Sequence, residues 1–306
     1  MKNKFITLTV AVVLCLALFT ACAQSSGTPA KSGDGITLTD MVGRTVTLDK
    51  PAEKIVALEA SDCEILCAIG AEDRLVGRGE YCDFPESIAE VPAVSSGTET
   101  NIEQLIALKP DVLIMTDMEQ TEEQAAQLES AGIKVIMTDA QDINGVYEAI
   151  NLIGKATGLT ENAQALSDEM KATFDSLKKK PDEEPETVYF EVSPLEWGLW
   201  AAGRNTFMNE VAEMLGLRNC FDDVDGWAEI SEEQVIERDP DHIVTISMYF
   251  GEGPTPEEEI MSRAGWENIS AVKNGSILNI QSNELSRPGP RLADGAKMLS
   301  EFVYGR

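Results

Sequence analysis

The side chains able to do chemistry are scarce for some reactions and abundant for others. One histidine, His242, stands in 306 residues. A site that needs a His base together with His ligands is therefore excluded at the outset. Acids are plentiful: 53 Asp and Glu face 24 Lys and Arg, for a formal charge of -29. So acidic a chain offers no basic surface to phosphates, which removes nucleic acid as a partner. Four cysteines, Cys63, Cys67, Cys82 and Cys220, lie beyond residue 22. Cys63 and Cys67 are spaced to share one helix face, with Cys82 nearby in sequence. A disulfide or thiolate metal site is one reading, and small buried apolar residues are the other. The lack of a second Cys-x-x-Cys pair or an accompanying His points to the second.

Enzyme signatures are missing. There is no Gly-x-Ser-x-Gly elbow, no Gly-x-x-x-x-Gly-Lys loop and no His-Glu-x-x-His. Gly77-Arg78-Gly79 lacks the third glycine of a dinucleotide loop. Phe221-Asp222-Asp223-Val224-Asp225-Gly226 has the look of a calcium loop, but Phe221 fills the position of the first ligand. These absences count against an enzyme, and no cofactor and no metal site of the chain's own is expected.

The elements that must position any site begin after a leader. Lys2 and Lys4 precede an apolar run from Phe5 to Phe19, shorter than the ~20 residues of a membrane span. Phe19-Thr20-Ala21-Cys22 resembles a bacterial lipobox, with Phe19 where Leu is usual, and Cys22 is the expected lipidation site. Residues 1–22 are thus read as a lipoprotein signal peptide and residues 23–35, rich in Ser, Gly, Ala and Lys, as a flexible tether. Ile36 to Leu48 predicts a hairpin turning at Val42-Gly43-Arg44. Strands and helices then alternate to Thr157, with strands at Lys54–Leu58, Leu75–Gly77, Val112–Met115 and Val135–Met137. Ser61 or Asp62 is expected to cap the first helix. The alternation resumes after Pro185 with strands at Val188–Val192, His242–Ile246 and Ile277–Ile280, and Thr255-Pro256-Glu257-Glu258 reads as a capping box. Such alternation predicts parallel sheets covered by helices.

Between the two series, residues 160–180 predict one long helix of about 30 Å. Thr160 is its expected cap, Leu166, Met170, Phe174 and Leu177 its apolar face, and Lys178, Lys179 and Lys180 its last turn. An internal repeat supports a lobe on each side. Glu103-Gln104-Leu105-Ile106, followed by Pro110-Asp111 and Val112-Leu113-Ile114, recurs as Glu233-Gln234-Val235-Ile236, Pro240-Asp241 and His242-Ile243-Val244, at a constant offset of 130 residues. The predicted fold is α/β, two similar lobes with central, mostly parallel sheets bridged by a single long α-helix. The N-terminal lobe spans 36–159, the bridging helix 160–180 and the C-terminal lobe 181–306. His242 repeats the position of Val112 and reads as a core residue.

With leader, tether, lobes and bridge in place, the chain resembles the substrate-binding lipoproteins of ATP-binding-cassette importers for ferric siderophores, haem and cobalamin. The resemblance runs from about Thr39 to Tyr304. It is carried by Thr39-Asp40-Met41-Val42-Gly43-Arg44-Thr45-Val46, Arg74-Leu75-Val76-Gly77, Tyr81-Cys82-Asp83-Phe84-Pro85, Gly265-Trp266-Glu267-Asn268 and Arg287-Pro288-Gly289-Pro290-Arg291. It implies a ligand held between the lobes and lobes that close only slightly. It also implies that Glu103 and Glu233 dock onto arginines of a membrane permease working with its ATPase. The protein would be a monomer, lipid-anchored at the extracytoplasmic face of the bacterial membrane or in the periplasm.

Loops at strand ends would line the cleft. Candidates are Tyr81, Trp197, Trp200, Trp227, Tyr249, Asn283 and Arg287, of which Tyr81, Trp227, Asn283 and Arg287 best match ligand-contacting loops by family position. Aromatic faces suit a large flat chelate, and Arg287 suits an acidic or amide oxygen. The expected ligand is a small metal chelate: a corrinoid or a neutral or cationic ferric siderophore, with haem behind. An anionic ferric catecholate would need Arg204, Arg287 and Arg291 to converge. The alternatives are a protein for bare zinc or manganese ions, disfavoured by the single His, or a secreted carbohydrate-active enzyme.

Overall fold

Two sheets, one on each side of a long helix, organise the chain. The structure is a computed structural model and describes residues 35–96, 100–116, 122–281 and 283–305. The leader with Cys22, and the tether up to residue 34, lie outside the described residues. From Ile36 onward the chain forms one compact unit. β1 (Ile36–Thr39) and β2 (Thr45–Leu48) make the expected antiparallel hairpin.

In the N-terminal lobe follow β3 (Ile55–Ala57), α1 (Ala60–Ala68), β4 (Leu75–Gly79), β5 (Ala93–Val94), α2 (Ile102–Leu108), β6 (Val112–Thr116), α3 (Glu122–Ser130), β7 (Lys134–Thr138) and α4 (Ile143–Thr157). The five strands run in the order β5-β4-β3-β6-β7, all parallel. β6 is buried along its whole length, as a strand covered by helices on both faces must be. Glu59, not Ser61 or Asp62, caps α1: its side chain accepts from the Ala60 N–H.

α5 (Thr160–Leu177) then leads to the C-terminal lobe. There β8 (Thr187–Ser193), β9 (Trp200–Ala202), α6 (Phe207–Met214), β10 (Arg218–Asn219), β11 (Trp227–Glu229), α7 (Glu232–Arg238), β12 (His242–Thr245), α8 (Pro256–Ser262), α9 (Ser270–Asn274), β13 (Ile277–Asn279) and α10 (Leu292–Tyr304) succeed one another. The sheet order is β11-β9-β8-β12-β13, with β10 also on β8. β8, β12 and β13 are parallel, whereas β9 and β11 add an antiparallel flank. Trp200 and Trp227, expected in loops, lie on these two short strands.

The sequence repeat is a structural repeat. Asn101 caps α2 by accepting from the Gln104 N–H, and Ser231 caps α7 by accepting from the Gln234 N–H. Both helices end on a left-handed residue, Lys109 and Asp239. Each Pro-Asp turn uses its carboxylate in the same way. Asp111 accepts from the backbone N–H groups of Glu53 and Lys54, and Asp241 from the N–H of Thr187, at the starts of β3 and β8. The turn therefore clamps the strand to which β6 or β12 is paired. His242 is buried as expected, with Nδ1 2.7 Å from Ser276 Oγ and Nε2 2.9 Å from Glu186 Oε2.

The bridging helix is shorter than the sequence suggests. Thr160 is its first helical residue and not its cap, and Leu177 its last. The three lysines lie beyond the helix. The Lys179 N–H donates to the Met214 carbonyl, and its ammonium sits 3.8 Å from the centre of the Tyr304 ring. Tertiary contacts with the C-terminal lobe thus unwind the end that dipole reasoning would have kept helical. α5 packs against α4 and α10 and so touches both lobes. Met170 and Phe174 face the core, while Leu166 and Leu177 are half-buried. Its contact with α4 is close enough to require glycine: a Cβ on Gly154 would lie 2.4 Å from Ala163 Cβ. Helix propensity alone makes Gly154→Ala stabilising by about 1 kcal/mol. Overpacking against a rigid Ala outweighs that. Thermal or denaturant unfolding of the variant should show a net loss of about 1–2 kcal/mol.

Candidate functional site

Two sets of contacts join the lobes. The first is built on Glu64, a carboxylate of α1 whose side chain is 2% exposed. Arg291 approaches it as a fork, Nε to Oε2 at 2.9 Å and Nη2 to Oε1 at 2.6 Å. Arg287 donates from Nη1 to Glu64 Oε1 at 3.0 Å and to Asp83 Oδ1 at 2.6 Å, and from Nη2 to the Tyr81 carbonyl at 3.1 Å. Phe84 completes the socket, its ring centre 4.1 Å from the Arg291 guanidinium. Burial works against the charge on Arg287, but Asp83 and Glu64 outweigh it and hold its proton more tightly than usual.

The second set lies at the start of α4. The Phe207 N–H donates to the Gln141 carbonyl at 2.9 Å, and the Trp227 indole N–H to Gln141 Oε1 at 3.3 Å. Glu210 Oε2 accepts from the Ile143 N–H at 2.7 Å. A carboxylate from one lobe thereby satisfies an N–H in the first turn of a helix in the other, where negative charge is favourable.

A cleft of about 240 Å³ opens between the lobes. Its N-terminal wall comes from the C-terminal ends of β3, β6 and β7: Glu59, Ser61, Asp62, Thr116, Thr138 and Gln141. Its C-terminal wall is Phe207, Trp227, Ser286 and Pro288. A larger hollow of about 770 Å³ sits at the ends of β8 and β12, where Trp197, Met248, Tyr249 and Phe250 are among its lining residues. Trp197 and Phe250 are the most open large apolar side chains described, 79% and 83% exposed. Beside this hollow Arg263 forks onto buried Glu191 at 2.6 and 3.0 Å and reaches Glu259 at 2.6 Å. Burial pushes the Glu191 carboxyl up, against the pull of Arg263.

Asp62 is the unusual group of the cleft. Burial, then the charge of Glu59, push its pKa up to about 8, although Thr138 Oγ1 donates to Oδ2 at 2.9 Å and opposes the shift. A carboxyl held neutral near pH 7 both donates and accepts hydrogen bonds.

A cleft between two sheets, at the ends of their strands, agrees with what the chain is similar to. The periplasmic binding protein family matches residues 55–284. The chain belongs to that family. An ABC transporter substrate-binding lipoprotein of Bacillus subtilis, YvrC, is 30% identical over 311 residues, spanning 96% of this chain and 95% of its own. A cobalamin-binding protein of Halobacterium salinarum is 26% identical over 321 residues, spanning 98% and 85%. Among solved structures, a possible iron-binding, periplasmic solute-binding protein from Staphylococcus epidermidis aligns with a TM-score of 0.69 at 32% identity, over 83% of this chain and 100% of that one.

The binding protein distributes its sequence-predicted residues unevenly. Trp227 lines the inter-lobe cleft, packed on Phe207 with ring centres 5.2 Å apart. Trp197 and Tyr249 line the larger hollow. Tyr81, Asn283 and Arg287 are among the lining residues of neither. Tyr81 gives its carbonyl to Arg287, and Asn283, at φ +68, accepts from the Ser286 hydroxyl at 3.0 Å. Arg287 corrects an expectation, since its guanidinium is spent on the lobe contact while its neighbours Ser286 and Pro288 face the cleft. Arg204 pairs with Asp225 at 3.5 Å, so the three arginines do not converge on a ligand. Glu103 and Glu233 are exposed, one on each lobe. Among the described residues no group of three or more His, Cys, Asp or Glu is placed to hold a metal ion. Sequence reasoning missed the polar wall of Glu59, Ser61, Asp62, Thr116 and Thr138. The available signal was their position at the C-terminal ends of predicted strands.

The Asp62 proton has a thermodynamic signature. Its folded pKa lies above the unfolded value, so the folded state binds more protons between about pH 4 and pH 8 and loses stability as pH rises through that window. Asp62→Asn removes this slope. Relative to the parent, the variant should gain stability from pH 4 to pH 8, at most about 1.4 kcal/mol per pH unit, and no further above it, in denaturant titrations at each pH.

Proposed function

We propose that this binding protein is the extracytoplasmic, lipid-anchored receptor of an ABC importer, and that it captures a neutral or cationic metal chelate. Corrinoids and hydroxamate-type ferric siderophores fit best, and haem, with two carboxylates, fits less well. The reading rests on the linings of the two hollows. They carry aromatic rings, hydroxyls and the carboxylates of Glu59, Glu196 and Glu252, beside Asp62, which keeps its proton near pH 7, and Glu259, which Arg263 neutralises, and no Lys, Arg or His among their described lining residues. The arginines nearest the cleft are already neutralised by Glu64 and Asp83. An anionic chelate would therefore meet uncompensated negative charge, which costs affinity and slows encounter. The larger hollow alone lies within the range of about 300–1,000 Å³ usual for small-molecule sites.

Delivery is read from the repeat. Glu103 and Glu233 occupy the same position on α2 and α7, capped and terminated alike, and both are exposed. They present a two-point acidic dock for paired arginines of a permease. With the lobes bonded at both edges of the cleft, docking carries the signal that a wide hinge motion carries elsewhere.

Intrinsic tryptophan fluorescence tests the ligand class. Cyanocobalamin, which is neutral, and a cationic ferric trihydroxamate are titrated beside a trianionic ferric tricatecholate. Saturable quenching by either of the first two is expected, weakened about tenfold in Trp227→Ala. Equal or tighter binding of the tricatecholate would show the charge reading to be wrong. Glu103→Ala/Glu233→Ala should leave the dissociation constant unchanged and abolish uptake in cells. Persistent uptake by that variant would remove the docking assignment.

A further inference from the structure

Two cysteines stand directly before the two carboxylates that receive Arg287. Cys63 precedes Glu64 on α1, and Cys82 precedes Asp83 in the loop after β4. Both are buried, 0% and 1% exposed. Cys63 Sγ lies 3.5 Å from the Ala57 carbonyl oxygen, and Cys82 Sγ lies 3.9 Å from that same oxygen and 3.6 Å from the Leu58 carbonyl. Two thiols gathered around one carbonyl at the end of β3 are close neighbours. The Cys63 thiol is accordingly held well above its ordinary range by the adjacent Cys82 thiol and by burial. Neither sulfur lines a hollow. Cys67, one turn further along α1, is half-buried, and Cys220 lies in the other lobe.

We propose that Cys63 and Cys82 form a disulfide as the exported chain folds, and that this bond fixes the socket into which Arg287 docks. The proposal rests on the extracytoplasmic reading above, because export supplies an oxidising compartment. The oxidant is the disulfide of an exported thiol oxidase. The Cys82 thiolate attacks one sulfur of that disulfide, forms a mixed disulfide and expels a thiolate. The Cys63 thiolate attacks the Cys82 sulfur, forms the Cys63–Cys82 bond and expels the second thiolate. The two protons from the cysteines pass to the two leaving thiolates, and two electrons pass from protein to oxidant. Exchange precedes the final seating of α1 on β3, since burial then covers both sulfurs. Once made, the bond ties Glu64 to Asp83 through adjacent residues and sets their spacing before Arg287 arrives.

The test refolds the full chain from denaturant in reduced and oxidised glutathione, digests it with trypsin without reduction, and reads the peptides by mass spectrometry. The expected product joins peptide 55–74 to peptide 79–134. It persists in Cys67→Ser and disappears in Cys63→Ser and in Cys82→Ser. Reduction should then lower the melting temperature of the oxidised protein by roughly 5 °C and leave that of Cys63→Ser/Cys82→Ser unchanged. Free thiols on both peptides overturn the proposal, as does a link made through Cys67. A linked protein whose melting temperature ignores reduction overturns the role given to the bond. No ligand, membrane or permease enters the assay, so its failure is distinct from a failure of the transport reading.

Discussion

A buried carboxylate with two arginines from the opposite lobe governs the arrangement of this molecule. Glu64 lies inside the N-terminal lobe, where a lone charge would cost several kcal/mol. It is tolerable only with Arg287 and Arg291 in place, and both come from the segment that enters α10. The C-terminal lobe must therefore sit where its arginines reach α1. That placement brings Ser286 and Pro288 to the cleft and sets its width. It also withdraws two guanidinium groups from any ligand. One interaction thus fixes the geometry of the cleft and, with the carboxylates that remain, its sign of charge.

The opposite edge is held by neutral and helix-end contacts. Gln141 accepts from Phe207 and Trp227, and Glu210 accepts at the start of α4. α5 runs behind both lobes, keyed to α4 at Gly154 and Ala163 and anchored by a bond from Asn162 to the Ile69 carbonyl. On the proposed reading, attachments at α1, at the start of α4 and along α5 oppose wide opening. A ligand on the proposed reading enters a site largely formed in advance, so little of its binding energy goes into moving lobes.

How much of this was legible in the sequence depends on how local each determinant is. The repeat was visible because its parts act over a few residues: a cap, a helix, a Pro-Asp turn and a strand. The capping box at Thr255 and Glu258 was readable for the same reason, and both hydrogen bonds are present. The end of the bridging helix was not readable, because Met214 and Tyr304 pull Lys179 away from far along the chain. The short antiparallel strands holding Trp200 and Trp227 carry too few residues to show alternation. Arg287 was expected to meet the ligand, whereas it bonds Glu64, a distant residue among many acids, and nothing in composition marks one carboxylate as buried.

The polar wall is the deepest consequence of the fold that residue types alone conceal. Ser61, Asp62, Thr116 and Thr138 are unremarkable singly. Parallel strands gather them because each lies at or just past the C-terminal end of β3, β6 or β7. There burial, and then the charge of Glu59, discourage ionisation of Asp62. The proton retained on Asp62 leaves the wall able both to donate and to accept without adding a negative charge. Facing it are Phe207 and Trp227, which offer ring faces and no charge. On the proposed reading, amide-bearing and hydroxamate ligands match such a surface better than carboxylates or catecholates. The match follows from strand topology and burial, with no basic residue taking part.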